Sequence, residues 1–176
     1  MTDVSTAPFV LHPDETGPLP ARRTDALLAV RDARRTARYY CAALAMRCTA
    51  YAGPETGRLD TLSFVLESGP TRLVVSSALH PFTERAERIA RHVARHGDTI
   101  LDLVIEVPDV YAAYDYAVDR GALSVAEPAE VGDRYGTAVL ATLGTPGPAH
   151  HLLVERTAYP GPYLPGYLPP PPGILD

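Results

Sequence analysis

Residues 102–121 read DLVIEVPDVYAAYDYAVDRG, and residues 25–46 read DALLAVRDARRTARYYCAALAM. Each opens on a short, mostly apolar run with strand character, DLVIEV or DALLAV. Each then turns at an aspartate, Asp109 or Asp32, of the kind that caps a helix N-terminus. A helical pattern follows in both. Val110, Ala113, Tyr114, Ala117 and Val118 recur at the i, i+3, i+4, i+7, i+8 spacing of a buried stripe, and Gly121 closes that helix. Ala33, Ala37, Tyr40 and Leu44 mark the matching side of residues 33–46.

Working outward, three strand-like runs follow each helix. The first set is 47–52, 59–67 and 71–77, separated by Gly53-Pro54, Gly57 and Gly69-Pro70; the second is 123–126, 137–143 and 150–155. An offset of 77 residues (25 onto 102) aligns Asp25 with Asp102, Val30 with Val107, Asp32 with Asp109 and Tyr39 with Tyr116. The order strand, helix, three strands therefore occurs twice. Neither unit is large enough to bury a sheet face alone. The expected fold is α+β: two paired βαβββ units forming one curved, cup-like mixed sheet of eight strands with helices outside.

In this reading residues 23–157 are a single domain. Unit one covers 24–77 and unit two 99–157. A bridging helix, 82–95, joins them with Phe82, Ala86, Ile89 and Val93 as its apolar face. Residues 1–22 are a flexible lead-in. The Pro- and Tyr-rich segment 158–176 cannot be helix or central strand. It is expected to lie extended over the surface and end in polyproline II.

Composition narrows the function classes. The chain has 176 residues, a length that suits one domain. A net charge of −5 without a basic run argues against a nucleic-acid or anionic-membrane partner. No apolar run spans a membrane, and the N-terminus lacks a signal-peptide pattern. Cys41 and Cys48 are too few for a disulfide framework and read as small core residues. A cytoplasmic protein is expected. All 16 basic residues are Arg, and Lys, Asn, Gln and Trp are missing. This bias fits a GC-rich genome such as an actinomycete's. It excludes Schiff-base lysines and P-loop lysines. No GxSxG, Walker, GxGxxG or CxxC motif occurs.

The doubled unit resembles the vicinal oxygen chelate (glyoxalase, bleomycin-resistance) superfamily. The stretches AVRDARRTARYYCAALAMRCTAYAGPETG, LVVSSALHPFTERAERIARHVARHGDTILDLVIEVPDVYAAYDYAVDRGA and HLLVERTAYPGPYLPGYLPP resemble the N-terminal domain of bacterial 4-hydroxyphenylpyruvate dioxygenases and hydroxymandelate synthases. VARHGD and LVER…GPYLPGY are specific to that group. The resemblance covers roughly residues 23–170 and implies an aromatic 2-oxo acid context. It also implies that the iron of such enzymes sits in a second, C-terminal copy of the fold, held by two histidines and a glutamate. The positions matching those ligands here are Asp25, Asp102 and approximately Leu152, and no second copy is expected after Asp176. Two aspartates and a leucine do not make a 2-His-1-carboxylate site, so no iron dioxygenase is expected from this chain on its own.

The candidate catalytic residues are Asp25, Asp102 and His151. The two aspartates occupy equivalent strand positions and could act as an acid–base pair or bind a divalent metal. The plainer alternative pairs them with Arg22, Arg23 or Arg72. Alternation turns one of His150 and His151 toward the cup, where an imidazole beside Asp102 would be a base. His92 and His96 stand at i, i+4, near Glu84 and Glu87, but the surrounding arginines disfavour a metal, and a solvated face is expected. Tyr39, Tyr40, Tyr114 and Tyr116 read as helix packing. Tyr159, Tyr163 and Tyr167 read as local packing or a docking surface.

Three functions compete. The first is a stand-alone relative of the dioxygenase N-terminal domain, without cofactor, that binds a small aromatic molecule or serves assembly. The second is a small vicinal-oxygen-chelate-type enzyme of specialised metabolism using Asp/His acid–base chemistry or a non-iron metal. The third is a separated half of an aromatic 2-oxo acid dioxygenase that needs a partner iron-domain chain. A homodimer is a further expectation by superfamily analogy.

Overall fold

The computed structural model of the chain describes residues 21–175. Its element order is β1 (Arg23–Ala29), α1 (Ala33–Leu44), β2 (Arg47–Ala52), a 3-10 turn (Pro54–Thr56), β3 (Thr61–Ser68), β4 (Thr71–Ala78), α2 (Glu84–His96), β5 (Thr99–Glu106), α3 (Val110–Asp119), β6 (Leu123–Asp133), β7 (Gly136–Gly144) and β8 (His150–Glu155). The eight strands form one open mixed sheet in the order β2-β3-β4-β1-β5-β8-β7-β6. The two units meet where β1 runs antiparallel to β5, while β1–β4 and β5–β8 are parallel.

The register carries the repeat. Asp25 stands opposite Val104 and Asp102 opposite Leu27, so the 77-residue offset maps one pair onto the other. Strand alternation then sorts the faces. Leu28, Leu62, Phe64, Leu66 and Val75 turn to the outer face, where α1 covers them with Ala33 and Ala37. Ile105, Ala141, Leu143 and Leu153 do the same under α3. Leu27, Ala29, Val65, Val74 and Val104 turn inward.

The inner face is covered differently. The bridging helix α2 lays Ile89 against it, and Tyr163 and Tyr167 from the closing segment join the same cluster. That segment is therefore not a surface strap alone, because Tyr159, Tyr163 and Tyr167 are each 2% exposed. Aromatic bodies remove far more apolar area from water than the prolines between them could. Leu168 then pairs its backbone with Tyr51 on edge strand β2 at 2.8 and 2.9 Å. Ile174 and Leu175 end against α1, their carbonyls accepting from Arg34 and Arg38. The segment thus wraps one sheet edge from inner to outer face.

Other differences from the sequence pattern have local causes. Helix α1 stops at Leu44, with Ala45 left-handed at φ 50, and Leu44 is exposed; Tyr39 lies on the solvent side of the helix, away from the buried Ala33 and Ala37. Phe82 precedes the Thr83 cap of α2 and is exposed, stacked on His80. His92, three residues after Ile89 and on the same face of α2, is buried rather than solvated. Strand β6 continues through Pro128 to Asp133, with its register slipping around the proline, as an edge strand permits. The expected lead-in falls outside the described residues except for residues 21 and 22. Cys41 and Cys48 are half-buried beside the α1 cluster. Among the described residues no helix is long and apolar enough to cross a membrane.

Candidate functional site

Asp25 and Asp102 both face inward, each 5% exposed. Neither is free. Arg23 Nε donates to Asp25 Oδ1 at 2.8 Å and Arg72 Nη1 to Oδ2 at 3.1 Å. Arg72 Nε also donates to Glu67 Oε1 at 2.5 Å, and its guanidinium lies 5.4 Å from the Tyr163 ring centre. Burial works against the Arg72 charge, but its bonds to the Glu67 and Asp25 carboxylates outweigh it and raise its pKa. This is the arginine pairing expected as the plainer reading of Asp25.

Asp102 is clamped from a helix instead. Arg88 on α2 donates Nη1 to Asp102 Oδ2 at 3.0 Å and Nη2 to Oδ1, with a further contact to the Leu101 carbonyl at 3.3 Å. Two-pronged pairing of this kind is the strong form of a guanidinium–carboxylate bond. No sequence pattern pointed to Arg88, because the pair depends on how α2 crosses β5.

The quasi-symmetry has a further consequence. Beside Asp25, strand β4 places Arg72; beside Asp102, strand β8 places His150. The position that clamps the carboxylate in unit one therefore carries an imidazole in unit two. His150 lines the inner-face cavity, and its Nδ1 is buried without a hydrogen-bond partner. Burial first, then the Arg88 charge, lowers its pKa against the opposing pull of Asp102. His151 is the alternate residue and turns to the other face, next to the α3 side of the sheet. The inward base candidate is thus His150, and Asp25, Asp102 and His151 do not converge on one point.

The cavity itself has a volume of about 470 Å³. Its floor is the inner face of β1, β5, β8 and β7, including Leu27, Val104, Leu152 and Leu140. Edge strand β6, helix α2 and the closing segment complete its walls. Tyr163, Leu164 and Tyr167 form the wall on the segment's side, and Asp133 holds that segment. Its carboxylate accepts from Tyr159 Oη at 3.0 Å and from the Gly166 amide at 2.9 Å, and from the Tyr135 amide at 2.9 Å. Gly166 has φ +89, and a Cβ there would lie 2.5 Å from the Arg58 guanidinium. An apolar concavity with a few convergent polar groups is the usual form of a small-molecule site.

The donor set does not fit an iron centre. The matching positions hold two arginine-clamped carboxylates and Leu152. Iron(II) would have to displace cations from both. Among the described residues no group of three or more His, Cys, Asp or Glu is placed to hold a metal ion. His92 and His96 have ring centres 5.0 Å apart, but His92 is buried against β5 and no carboxylate joins them.

Comparison with known proteins matches this architecture. The chain is 37% identical to a triple mutant of 4-hydroxymandelate synthase from Streptomyces coelicolor, with a TM-score of 0.71 over 81% of this chain. It is 34% identical over 139 residues to a 4-hydroxyphenylpyruvate dioxygenase from Yarrowia lipolytica, a match covering 79% of this chain. The chain is a homologue of the 4-hydroxyphenylpyruvate dioxygenases. It spans 35% of that dioxygenase and 40% of the synthase chain, about one domain of each. It has the vicinal oxygen chelate fold, shared with methylmalonyl-CoA epimerase from Mycobacterium tuberculosis at a TM-score of 0.61 and 19% identity. No family model matches the chain.

Proposed function

We propose that this chain is a ligand-binding relative of the dioxygenases, comparable to their N-terminal domain. Its inner-face cavity takes up a small molecule with an aromatic or otherwise apolar body, and its own residues hold no iron. One observation carries the reading: beside a cavity of about 470 Å³, both carboxylates at the ligand-matching positions are already neutralised by arginines. Buried carboxylates paired this way are structural anchors, and opening either pair would leave a charge uncompensated.

The test is direct. The purified chain, supplied with iron(II), 4-hydroxyphenylpyruvate and oxygen, is expected to show no oxygen uptake above the iron-only control. Stoichiometric iron binding with turnover would overturn the reading.

One observation favours a second reading, a small acid–base enzyme. His150 lines the cavity beside Asp102, and its buried Nδ1 has no hydrogen-bond partner, which leaves the imidazole uncommitted for general-base work. An activity abolished by His150→Gln but kept by His151→Gln would support it.

A further inference from the structure

The cavity lining carries more positive than negative charge, with Arg58, Arg85 and Arg88 against Glu84 and Asp102. Arg58, after the 3-10 turn, and Arg85, in the first turn of α2, both line it. Neither forms an ion pair among the described residues. Arg58 is half-buried, donates Nη2 to the Pro165 carbonyl at 3.1 Å and lies 5.7 Å from the Tyr167 ring centre. Burial and the neighbouring Arg85 charge both lower its pKa. Asp60 lies outside the cavity lining and offsets part of both charges, its Oδ2 also accepting from Thr83 Oγ1 at 2.5 Å. Glu84, also in the wall, is exposed to solvent. Asp102 is taken by Arg88.

A separate observation lies in the same wall. The Tyr163 hydroxyl is buried and has no hydrogen-bond partner, although the residue lines the cavity. An unmet buried hydroxyl is costly and rare. The neighbouring Arg58 and Arg85 charges repel. A single bound oxyanion relieves both, accepting from the hydroxyl and from charged donors. The N-terminus of α2 adds a partial positive charge at Arg85.

We infer that Arg58, Arg85 and the Tyr163 hydroxyl form an oxyanion subsite in the inner-face cavity, taking the carboxylate or phosphate of a ligand whose apolar body lies against Leu140, Leu152 and Leu164. The inference rests on the cavity reading above and adds the chemical class of the ligand. The ligand is an amphipathic monoanion or phosphomonoester rather than a neutral molecule.

Calorimetric titration with phenylacetate, phenyl phosphate and phenylacetamide tests it. At least one of the two anions is expected to bind about tenfold tighter than the amide, with affinity falling as salt is added. The stronger anion distinguishes a carboxylate from a phosphate ligand. Arg85→Gln, at an exposed position, is expected to bring the anion to the amide's level without moving the amide. Tyr163→Phe is expected to weaken the anion several-fold, by about the net worth of one ordinary hydrogen bond. Equal binding of acid and amide, or an unchanged anion affinity in Arg85→Gln, overturns the subsite and leaves the cavity reading standing. No binding of any of the three probes overturns both.

Discussion

Arg88 on α2 grips Asp102 on β5 with both arms of its guanidinium, tying the bridging helix to the strand at the centre of the sheet. Asp102 is only 5% exposed. Arg88→Met should therefore leave a buried charge without its partner. The expected loss is about 3 kcal/mol, toward the low end of the range for such pairs, because the Arg88 side chain is 34% exposed. Adding Asp102→Asn should recover most of it. Urea unfolding with an unchanged m-value checks both variants.

The buried imidazoles give a pH dependence of definite sign. Burial lowers the pKa of His92, His150 and His151, with nearby positive charge adding to the effect for the first two. The unfolded chain, whose imidazoles titrate near the ordinary ~6.5, then binds protons more readily than the folded one. Stability from these groups is intact above that value and lost as pH falls below it. The urea midpoint should drop between pH 7.5 and 5.5. His92→Gln and His150→Gln should each flatten the slope, and a midpoint independent of pH across that window would contradict this account.

Asp133 pins the closing segment through Tyr159 and Gly166. Burial raises its pKa, but the bonds from Gly166, Tyr135 and Tyr159 outweigh this and hold it below the ordinary carboxylate value. Asp133→Ala removes three bonds to a charged acceptor and is expected to cost about 2 kcal/mol at this half-exposed site. Limited proteolysis should cut first between residues 157 and 168 in that variant, while the wild-type chain resists there.

Gly166 should not tolerate a side chain. Its φ of +89 and the close approach of Arg58 both act against a Cβ. Gly166→Ala is expected to destabilise by about 1–2 kcal/mol from the left-handed conformation alone. It should also displace Arg58 and weaken anion binding, whereas Gly121→Ala, left-handed at φ +91 but with open space around its Cβ position and outside the cavity lining, should cost stability and leave binding unchanged.

What could be read from the sequence followed from short periods. The doubled order of elements and the 77-residue offset put Asp25 and Asp102 in equivalent places, and the β1–β5 register turns both to one face. Arg72 was within reach as a neighbour of Asp25. Residues whose placement depends on packing between elements were not legible. Arg88 meets Asp102 only because of the angle at which α2 crosses β5. Tyr163 and Tyr167 enter the core because the inner face of unit one has no helix of its own unit to cover it. The choice between His150 and His151 required the β5–β8 register, which alternation alone leaves open. Pro128 hid the length of β6, since a proline at an edge bulge looks the same in sequence as a strand end.

The proposed ligand site is the inner face of the sheet and not an iron centre. Methyl NMR of Leu, Ile and Val labels during titration with phenylacetate tests it most directly. The account predicts saturable shifts at Leu27, Ile89, Leu140, Leu152 and Leu164, with Leu62, Leu66 and Leu153 on the outer face unchanged. Shifts confined to the outer face, or none at millimolar probe, would contradict it.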